Sequence, residues 1–191
     1  MIRGIIFDCF GVLYHGSLDY LRELAPPDRV GEVTDLSHSY DYGYITQVDY
    51  FRGVGEVIGK TADEVRQICK EQHVRNEVLV GYVRTLRPAY KTALLSNVGR
   101  GFVESLFTAE ELKELFDAEV LSNEVGMAKP NVGIYQLTAD RLGLSPRQCV
   151  MIDDIDRNVQ GARAAGMRGI LYQNMKQFQR ELAALTEGDD A

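Results

Sequence analysis

Short, almost uninterrupted apolar runs, separated by helical patterns, constrain the fold of this chain more than any other feature. Such runs suit parallel strands covered by helices on both faces, because a strand with one wet face would alternate apolar and polar residues. From residue 90 onward strands and helices alternate, which predicts a parallel α/β sheet with right-handed crossovers. Five strands are predicted, at Ile5–Phe7, Ala93–Leu95, Ala118–Leu121, Val150–Ile152 and Ile170–Tyr172.

Several helix boundaries can also be read from the sequence. Thr46–Asp49, Thr61–Glu64 and Thr108–Glu111 have the form of capping boxes, in which a threonine and an acidic residue three positions later close a helix start. A helical pattern over Asn131–Leu142 ends at a glycine, and Val159–Ala165 does the same. These helices fill the connections between the predicted strands.

The stretch between the first two strands breaks the alternation, because it carries only helical signals. Pro88 marks the return to the sheet. The sequence therefore predicts a core formed by residues 1–14 and 88–191, and a helical cap formed by residues 15–87.

Composition excludes several classes of protein. The chain has 191 residues, of which 45% are hydrophobic and 26% charged, so neither a disordered chain nor a disulfide scaffold is expected. A net charge of -7 without a basic run argues against binding to nucleic acid or to anionic membranes. Cys9, Cys69 and Cys149 lack metal-ligand spacing and are predicted to be packing residues. No signal-peptide core or membrane-length apolar run is found, so we expect a cytoplasmic protein.

Polar residues follow the predicted strands at the edge where parallel sheets bind ligands. Asp8 ends the first strand and can act as a nucleophile or a metal ligand. Ser96 and Asn97 end the second and suit phosphate oxygens. Asp153 and Asp154 end the fourth, where two adjacent carboxylates repel one another unless a cation such as Mg²⁺ lies between them.

Lys129 precedes a helix, and Pro130 keeps it out of helical geometry, so its ammonium can reach the same edge and neutralise an anion. Asp156 is predicted to be a helix cap rather than a ligand. Any one of these polar residues alone is compatible with an ordinary turn, cap or solvated role. Their order and their placement at strand ends together indicate an active site.

Four segments resemble the motifs of the haloacid dehalogenase-like (HAD) hydrolase superfamily, and the resemblance extends over essentially the whole chain. It implies a Rossmann-like core with a helical cap inserted after the first motif. The segments are Ile5–Leu13, Leu94–Asn97, Lys129–Pro130 and Met151–Asp154.

The resemblance also implies roles for the strand-end residues. Asp8 would be the nucleophile that forms an aspartyl-phosphate, assisted by Lys129. Phosphate oxygens of a small phosphorylated substrate would be held by Ser96, Asn97 and Lys129. Mg²⁺ would be bound by Asp8, the backbone carbonyl of Phe10, Asp153 and Asp154.

Phe10 departs from the phosphatase pattern, which has a second aspartate at that position as acid and base. Three functions stay open. A Mg²⁺-dependent phosphatase is favoured by the two carboxylates at Asp153 and Asp154, and a sugar phosphate is the preferred substrate class, since some sugar-phosphate phosphatases of the family also lack this aspartate. A metal-free 2-haloacid dehalogenase and a catalytically silent phosphometabolite-binding protein are the alternatives.

The helical lobe offers further candidates for contact with a substrate. His15 could supply the proton that Phe10 cannot, because an ordinary histidine titrates near neutrality; an exposed histidine at a hinge is the other interpretation. Tyr40, Tyr42 and Tyr44 could face the substrate or serve as packing residues.

Overall fold

The sheet has five parallel strands in the order β3-β2-β1-β4-β5. A computed structural model describes residues 1–98 and 100–187. All five predicted strands are present, which confirms the α/β fold class. Tyr172 lies one position beyond the last strand, so that boundary was wrong: its N–H donates to the carbonyl of Asp153 outside the regular ladder, at 2.9 Å. The strands are β1 (Gly4–Phe7), β2 (Lys91–Ser96), β3 (Ala118–Leu121), β4 (Cys149–Asp153) and β5 (Arg168–Leu171).

Central strand β1 is buried on both faces, as a near-continuous apolar run requires. Ile5 and Phe7 belong to one hydrophobic cluster, and Ile6 belongs to the other. Successive side chains of a strand point to opposite faces, so β1 contributes to both layers of the core. Burying each such side chain stabilises the fold by about 1.5–3 kcal/mol.

Eleven α-helices and one short 3₁₀ turn, Pro146–Gln148, lie in the described part of the chain. Five of the helices come between β1 and β2, where the sequence predicts a helical lobe. The helices are α1 (Leu18–Leu24), α2 (Val30–Asp41), α3 (Gln47–Ile58), α4 (Ala62–Gln72), α5 (Glu77–Leu86), α6 (Arg100–Leu106), α7 (Ala109–Leu115), α8 (Ser122–Val125), α9 (Val132–Leu142), α10 (Asp156–Ala164) and α11 (Met175–Glu187).

Local capping chemistry accounts for most of the predicted helix starts. Thr46, Thr61 and Thr108 each form a complete capping box, and Asn131 caps α9. Asp156 was wrongly predicted to be a cap. It is the first residue of α10, because the N–H of Ile155 already donates to Asp153 Oδ1 at 2.9 Å and the chain turns there.

The helices of the predicted cap fall into two groups that pack against different parts of the molecule. Helices α1 to α4 contact one another, whereas α5 packs on α7. The ring of Tyr82 on α5 also lies 5.8 Å from that of Phe178 on α11, and Arg84 forms an ion pair with Glu114 at 2.8 Å. The boundary at residue 87 therefore stays a prediction, and these contacts favour a cap that ends before α5. The last four residues of the predicted core, 188–191, lie outside the described residues.

The three cysteines are buried and unpaired, in agreement with their predicted packing role. Within the described ranges, no helix combines the length and apolarity needed to cross a membrane.

Candidate active site

Asp8 lies at the carboxyl end of β1 and is almost completely buried. Its N–H donates to the carbonyl of Ile152 at 3.0 Å, and its Oδ1 accepts the N–H of Cys9 at 2.6 Å. Burial raises the pKa of Asp8 well above its usual value, and the positive charge of Lys129 opposes that rise. The nucleophile candidate is thus a desolvated carboxylate that depends on a nearby cation for its charge.

Lys129 supplies that cation from the segment before α9. Its side chain is 1% exposed, and Nζ lies 2.8 Å from Asp8 Oδ1 and 2.6 Å from Asp153 Oδ2. Burial by itself would lower the pKa of Lys129, but the two carboxylates outweigh it and raise the pKa above its ordinary value. Lys129 is therefore a charged ammonium that ties the ends of β1 and β4 together.

Two neighbours hold the Lys129 segment in place. Asn97 accepts the N–H of Lys129 at 2.8 Å, and its Nδ2 donates to the Lys129 carbonyl at 3.0 Å. Pro130 packs so closely on α10 that a Cβ on Gly161 would come within 2.6 Å of the Pro130 carbonyl oxygen. Asn97 was predicted to bind phosphate; here one of its two Nδ2 protons positions Lys129, and the phosphate role stays a prediction.

Asp153 is fully buried behind Lys129 and is held by several donors. Asn158 Nδ2 lies 3.0 and 3.2 Å from its two carboxylate oxygens. The hydroxyl of Tyr135 in turn donates to the Asn158 carbonyl at 2.7 Å. No role was predicted for Asn158; the signal that could have found it is its place one turn into the helix that follows the two aspartates.

Asp154 completes a group of three carboxylates and lies against Gly11. Gly11 has a φ of +81°, and a Cβ there would lie 2.0 Å from Asp154 Oδ2, so only glycine fits. One carboxylate oxygen from each of Asp8, Asp153 and Asp154 lies within 4.8 Å of the others. Hard oxygen ligands at this spacing match the preference of Mg²⁺. The predicted contact from the Phe10 carbonyl stays a prediction.

A cavity of about 540 Å³ opens above these residues. Predicted residues Asp8, Ser96, Asn97, Lys129 and Asp154 line it, whereas Asp153 lies behind them. The opposite wall comes from the helical lobe and includes Tyr40, Asp41, Tyr50 and His73.

His15 also lines the cavity and is exposed. Tyr40 lines it as well and is buried, whereas Tyr42 and Tyr44 are exposed and stack on each other, with ring centroids 5.7 Å apart. Of the three tyrosines, only Tyr40 thus has a place in the cavity wall.

Phe10 belongs to an aromatic cluster at the side of the cavity. Its ring centroid lies 4.7 Å from that of His73 and 6.1 Å from that of Phe102. Burial lowers the pKa of His73 to about 4, so this imidazole is neutral at neutral pH. Its Nε2 is 3.3 Å from Ser17 Oγ. Position 10 is therefore filled by packing, without a group that can release a proton.

A family model for haloacid dehalogenase-like hydrolases matches residues 2–166. The chain belongs to this family. It is 39% identical over 85 residues to "Phosphatase MT3486" of Mycobacterium tuberculosis, a match covering 42% of this chain and 39% of that protein. It is 34% identical over 103 residues to "Fructose-1-phosphate phosphatase YqaB" of Escherichia coli, covering 54% and 47%. The chain thus matches less than half the length of these two relatives.

Solved structures confirm the HAD fold at low sequence identity. A HAD family enzyme from Bacteroides thetaiotaomicron, in complex with magnesium and inorganic phosphate, has a TM-score of 0.74 and 20% identity, over 91% of this chain and 95% of that chain. L-2-haloacid dehalogenase from Xanthobacter autotrophicus has a TM-score of 0.63 and 18% identity, over 96% and 83%. Since both identities are low, these likenesses establish the fold and leave the reaction open.

Proposed function

We propose that this protein is a Mg²⁺-dependent phosphatase that acts on a small phosphomonoester, with sugar phosphates as the preferred class. The observation that carries the proposal is the floor of the cavity, where the Asp8 carboxylate lies against the Lys129 ammonium and beside two further carboxylates. The names of the two phosphatase relatives support the same reaction class.

The carboxylates of Asp8, Asp153 and Asp154 would hold Mg²⁺, together with the Phe10 carbonyl. When bound, the ion neutralises charge on the phosphoryl group. Asp8 attacks phosphorus and forms an aspartyl-phosphate, which water then hydrolyses. Lys129 keeps Asp8 ionised and oriented, and its remaining N–H can bind a phosphate oxygen. Ser96 and the second Nδ2 proton of Asn97 are the other phosphate donors.

The electrostatics suit an attacking carboxylate. Burial raises the pKa of Asp8, so its carboxylate is more basic than one in water, and the charge of Lys129 favours the ionised form. Phosphoryl transfer depends mainly on positioning and charge neutralisation, both of which these buried contacts provide.

Hydrolysis of p-nitrophenyl phosphate tests the proposal, because this leaving group needs little protonation. We expect release of nitrophenolate with Mg²⁺, loss of release in EDTA, and a loss of about 1000-fold or more in Asp8→Asn. Asp35→Asn is the matched control, since Asp35 is an exposed aspartate on α2. Unchanged activity in Asp8→Asn would remove Asp8 from the reaction.

A dehalogenase is the second candidate, and Phe10 is the observation that favours it. Against it stand Asp153 and Asp154, because together with Asp8 they place three carboxylates around the single ammonium of Lys129. Chloride release from 2-chloropropionate in EDTA, without phosphatase activity, would support this alternative. A silent binding protein would bind inorganic phosphate with Mg²⁺ but release no product from either substrate.

The expected cell compartment and partners rest on cysteine usage, net charge and the candidate site. We infer a cytoplasmic protein, since its three cysteines are unpaired. We infer a small phosphorylated partner from the candidate site, rather than nucleic acid or a membrane, given the net charge of -7. Cell fractionation with an antibody against the chain would test the compartment.

A further inference from the structure

Phe10 cannot supply a proton, and the rings that pack against it do not supply one either. The Phe10 ring is packed against His73 and Phe102, and His73 is neutral. An alkoxide or phenolate leaving group still needs a proton when its conjugate acid is weak. A donor must therefore come from another part of the cavity wall.

Asp41 is one of two carboxylates that the helical lobe places in this wall. It is the last residue of α2, and its backbone is fixed to the core: Ser122 Oγ donates to the Asp41 carbonyl at 2.6 Å. Gly43 follows directly and lies so close to Asn123 that a Cβ there would approach Asn123 Nδ2 to 3.0 Å. These contacts hold the end of α2 over the carboxyl ends of the strands.

The Asp41 carboxyl has a free hydrogen-bonding capacity. Among residues 1–98 and 100–187, no hydrogen bond or ion pair is formed by its side chain, although it is only partly exposed. Asp19, the other lobe carboxylate in the cavity wall, instead pairs with Arg22 at 3.3 Å and is exposed. Asp41 is thus the lobe acid that is open to a ligand in the cavity.

Its charge environment fits proton transfer near neutral pH. Burial raises the pKa of Asp41 to about 7, and the cations Lys129 and Arg157 limit the rise. The Tyr50 hydroxyl is its other titratable neighbour, and burial raises the pKa of that phenol, so it stays neutral. His38, on the same helix, faces Arg157 at 3.5 Å.

We propose that Asp41 takes the acid role that Phe10 cannot perform, an assignment that rests on the proposed phosphatase function. As Asp8 attacks phosphorus and the bond to the leaving oxygen breaks, the Asp41 carboxyl gives its proton to that oxygen and an alcohol departs. Asp41 is then a carboxylate. It regains a proton from solvent. Water attacks the aspartyl-phosphate and gives its proton to solvent, which releases phosphate and restores both residues.

Two aryl phosphates of similar size distinguish proton donation by Asp41 from a role of Asp41 in substrate binding. Phenyl phosphate has a poor leaving group and p-nitrophenyl phosphate a good one. We expect Asp41→Asn to lower kcat for phenyl phosphate about 100-fold and to change kcat for p-nitrophenyl phosphate by less than about 3-fold. Asp35→Asn on the same helix should change neither, and Asp41→Glu should restore part of the lost rate.

The pH dependence gives a second measurement. Since the acid must be protonated, wild-type kcat for phenyl phosphate should fall as pH rises through about 7, and this fall should be absent in Asp41→Asn. Equal losses on both substrates, or no loss on phenyl phosphate, would overturn the Asp41 assignment while the phosphatase stands. If the wild-type protein hydrolyses neither substrate with Mg²⁺, the proposed function fails and the assignment fails with it.

Discussion

The floor and the lobe-side wall of the cavity differ in how far their charged side chains are paired with other groups. On the floor, Asp8, Lys129, Asp153 and Asn158 bind one another at 2.6–3.2 Å. In the wall, Asp41 has no side-chain partner among the described residues, and the lining there mixes aromatic rings such as Tyr40 and Tyr50 with small polar side chains. A polar network with several short hydrogen bonds fixes geometry, whereas an unpartnered carboxyl can exchange a proton. Under the proposed function, the floor would position the phosphoryl group and the wall would protonate the leaving group.

Removal of the Lys129 charge should have the largest effect, because the whole floor depends on it. Lys129→Met leaves Asp8 and Asp153 buried without a cation, and we expect a loss of about 3 kcal/mol in the free energy of unfolding and about 1000-fold in kcat. Urea denaturation in EDTA and p-nitrophenyl phosphate hydrolysis measure the two effects. Lys113→Met, at an exposed position of α7, is the control. Unchanged stability would mean that the network is not ionised.

Asn158→Ala should destabilise the network on the cavity floor less than Lys129→Met does. Asp153 would lose both contacts from Nδ2, at an expected cost of about 2 kcal/mol, and the Mg²⁺ concentration for half-maximal activity should rise about 10-fold. Titration of activity with Mg²⁺ measures this shift. Gln160→Ala, an exposed site on the same helix, should leave it unchanged. A normal Mg²⁺ requirement in Asn158→Ala would make the residue purely structural.

Phe10→Asp tests whether a carboxyl at position 10 can replace the proposed acid, Asp41, in the lobe-side wall. In the Asp41→Asn background, a carboxyl at position 10 should restore phenyl phosphate hydrolysis about 10-fold, because it supplies a second acid. Phe10→Asn is the matched control, with the same shape but no proton to donate at neutral pH. Equal rates in the two variants would show that position 10 cannot reach the leaving oxygen.

The smallest expected effect is a shift of pH dependence in Arg157→Gln. Arg157 lowers the pKa of Asp41, so its removal should raise that pKa and move the alkaline fall of phenyl phosphate kcat upward by a fraction of a pH unit. Arg163→Gln on the same helix is the control. A shift to lower pH would contradict the placement of Arg157 beside Asp41.

Sequence reasoning predicted the floor far better than the wall. Asp8, Ser96 and Asp153 follow apolar strands, and the topology of a parallel sheet brings such positions to one edge whatever the details of packing. Capping boxes such as Thr46–Asp49 are equally local, and so their helices were predicted. Asp156 was misassigned because the chain turns one residue earlier: Asp153 accepts the N–H of Ile155, and Asp156 becomes the first helical residue.

The wall depends on contacts that no periodicity encodes. Asp41 reaches the cavity because the end of α2 meets Ser122, a residue 81 positions away in the sequence. The hydrogen bonds between Asn97 and the Lys129 backbone span 32 positions and could not be predicted from the sequence either. Helical patterns indicate which face of α2 is buried, but they do not indicate which carboxyl lines the cavity.

The bond from Ser122 to the Asp41 carbonyl has a consequence for the timing of the reaction. It joins the lobe to the core at the same residue whose carboxyl faces the cavity, so a displacement of α2 from the core would break this bond and withdraw the carboxyl. Under the Asp41 proposal, such a displaced lobe would leave the site without its acid. Protonation of the leaving group would then require that α2 is seated on Ser122.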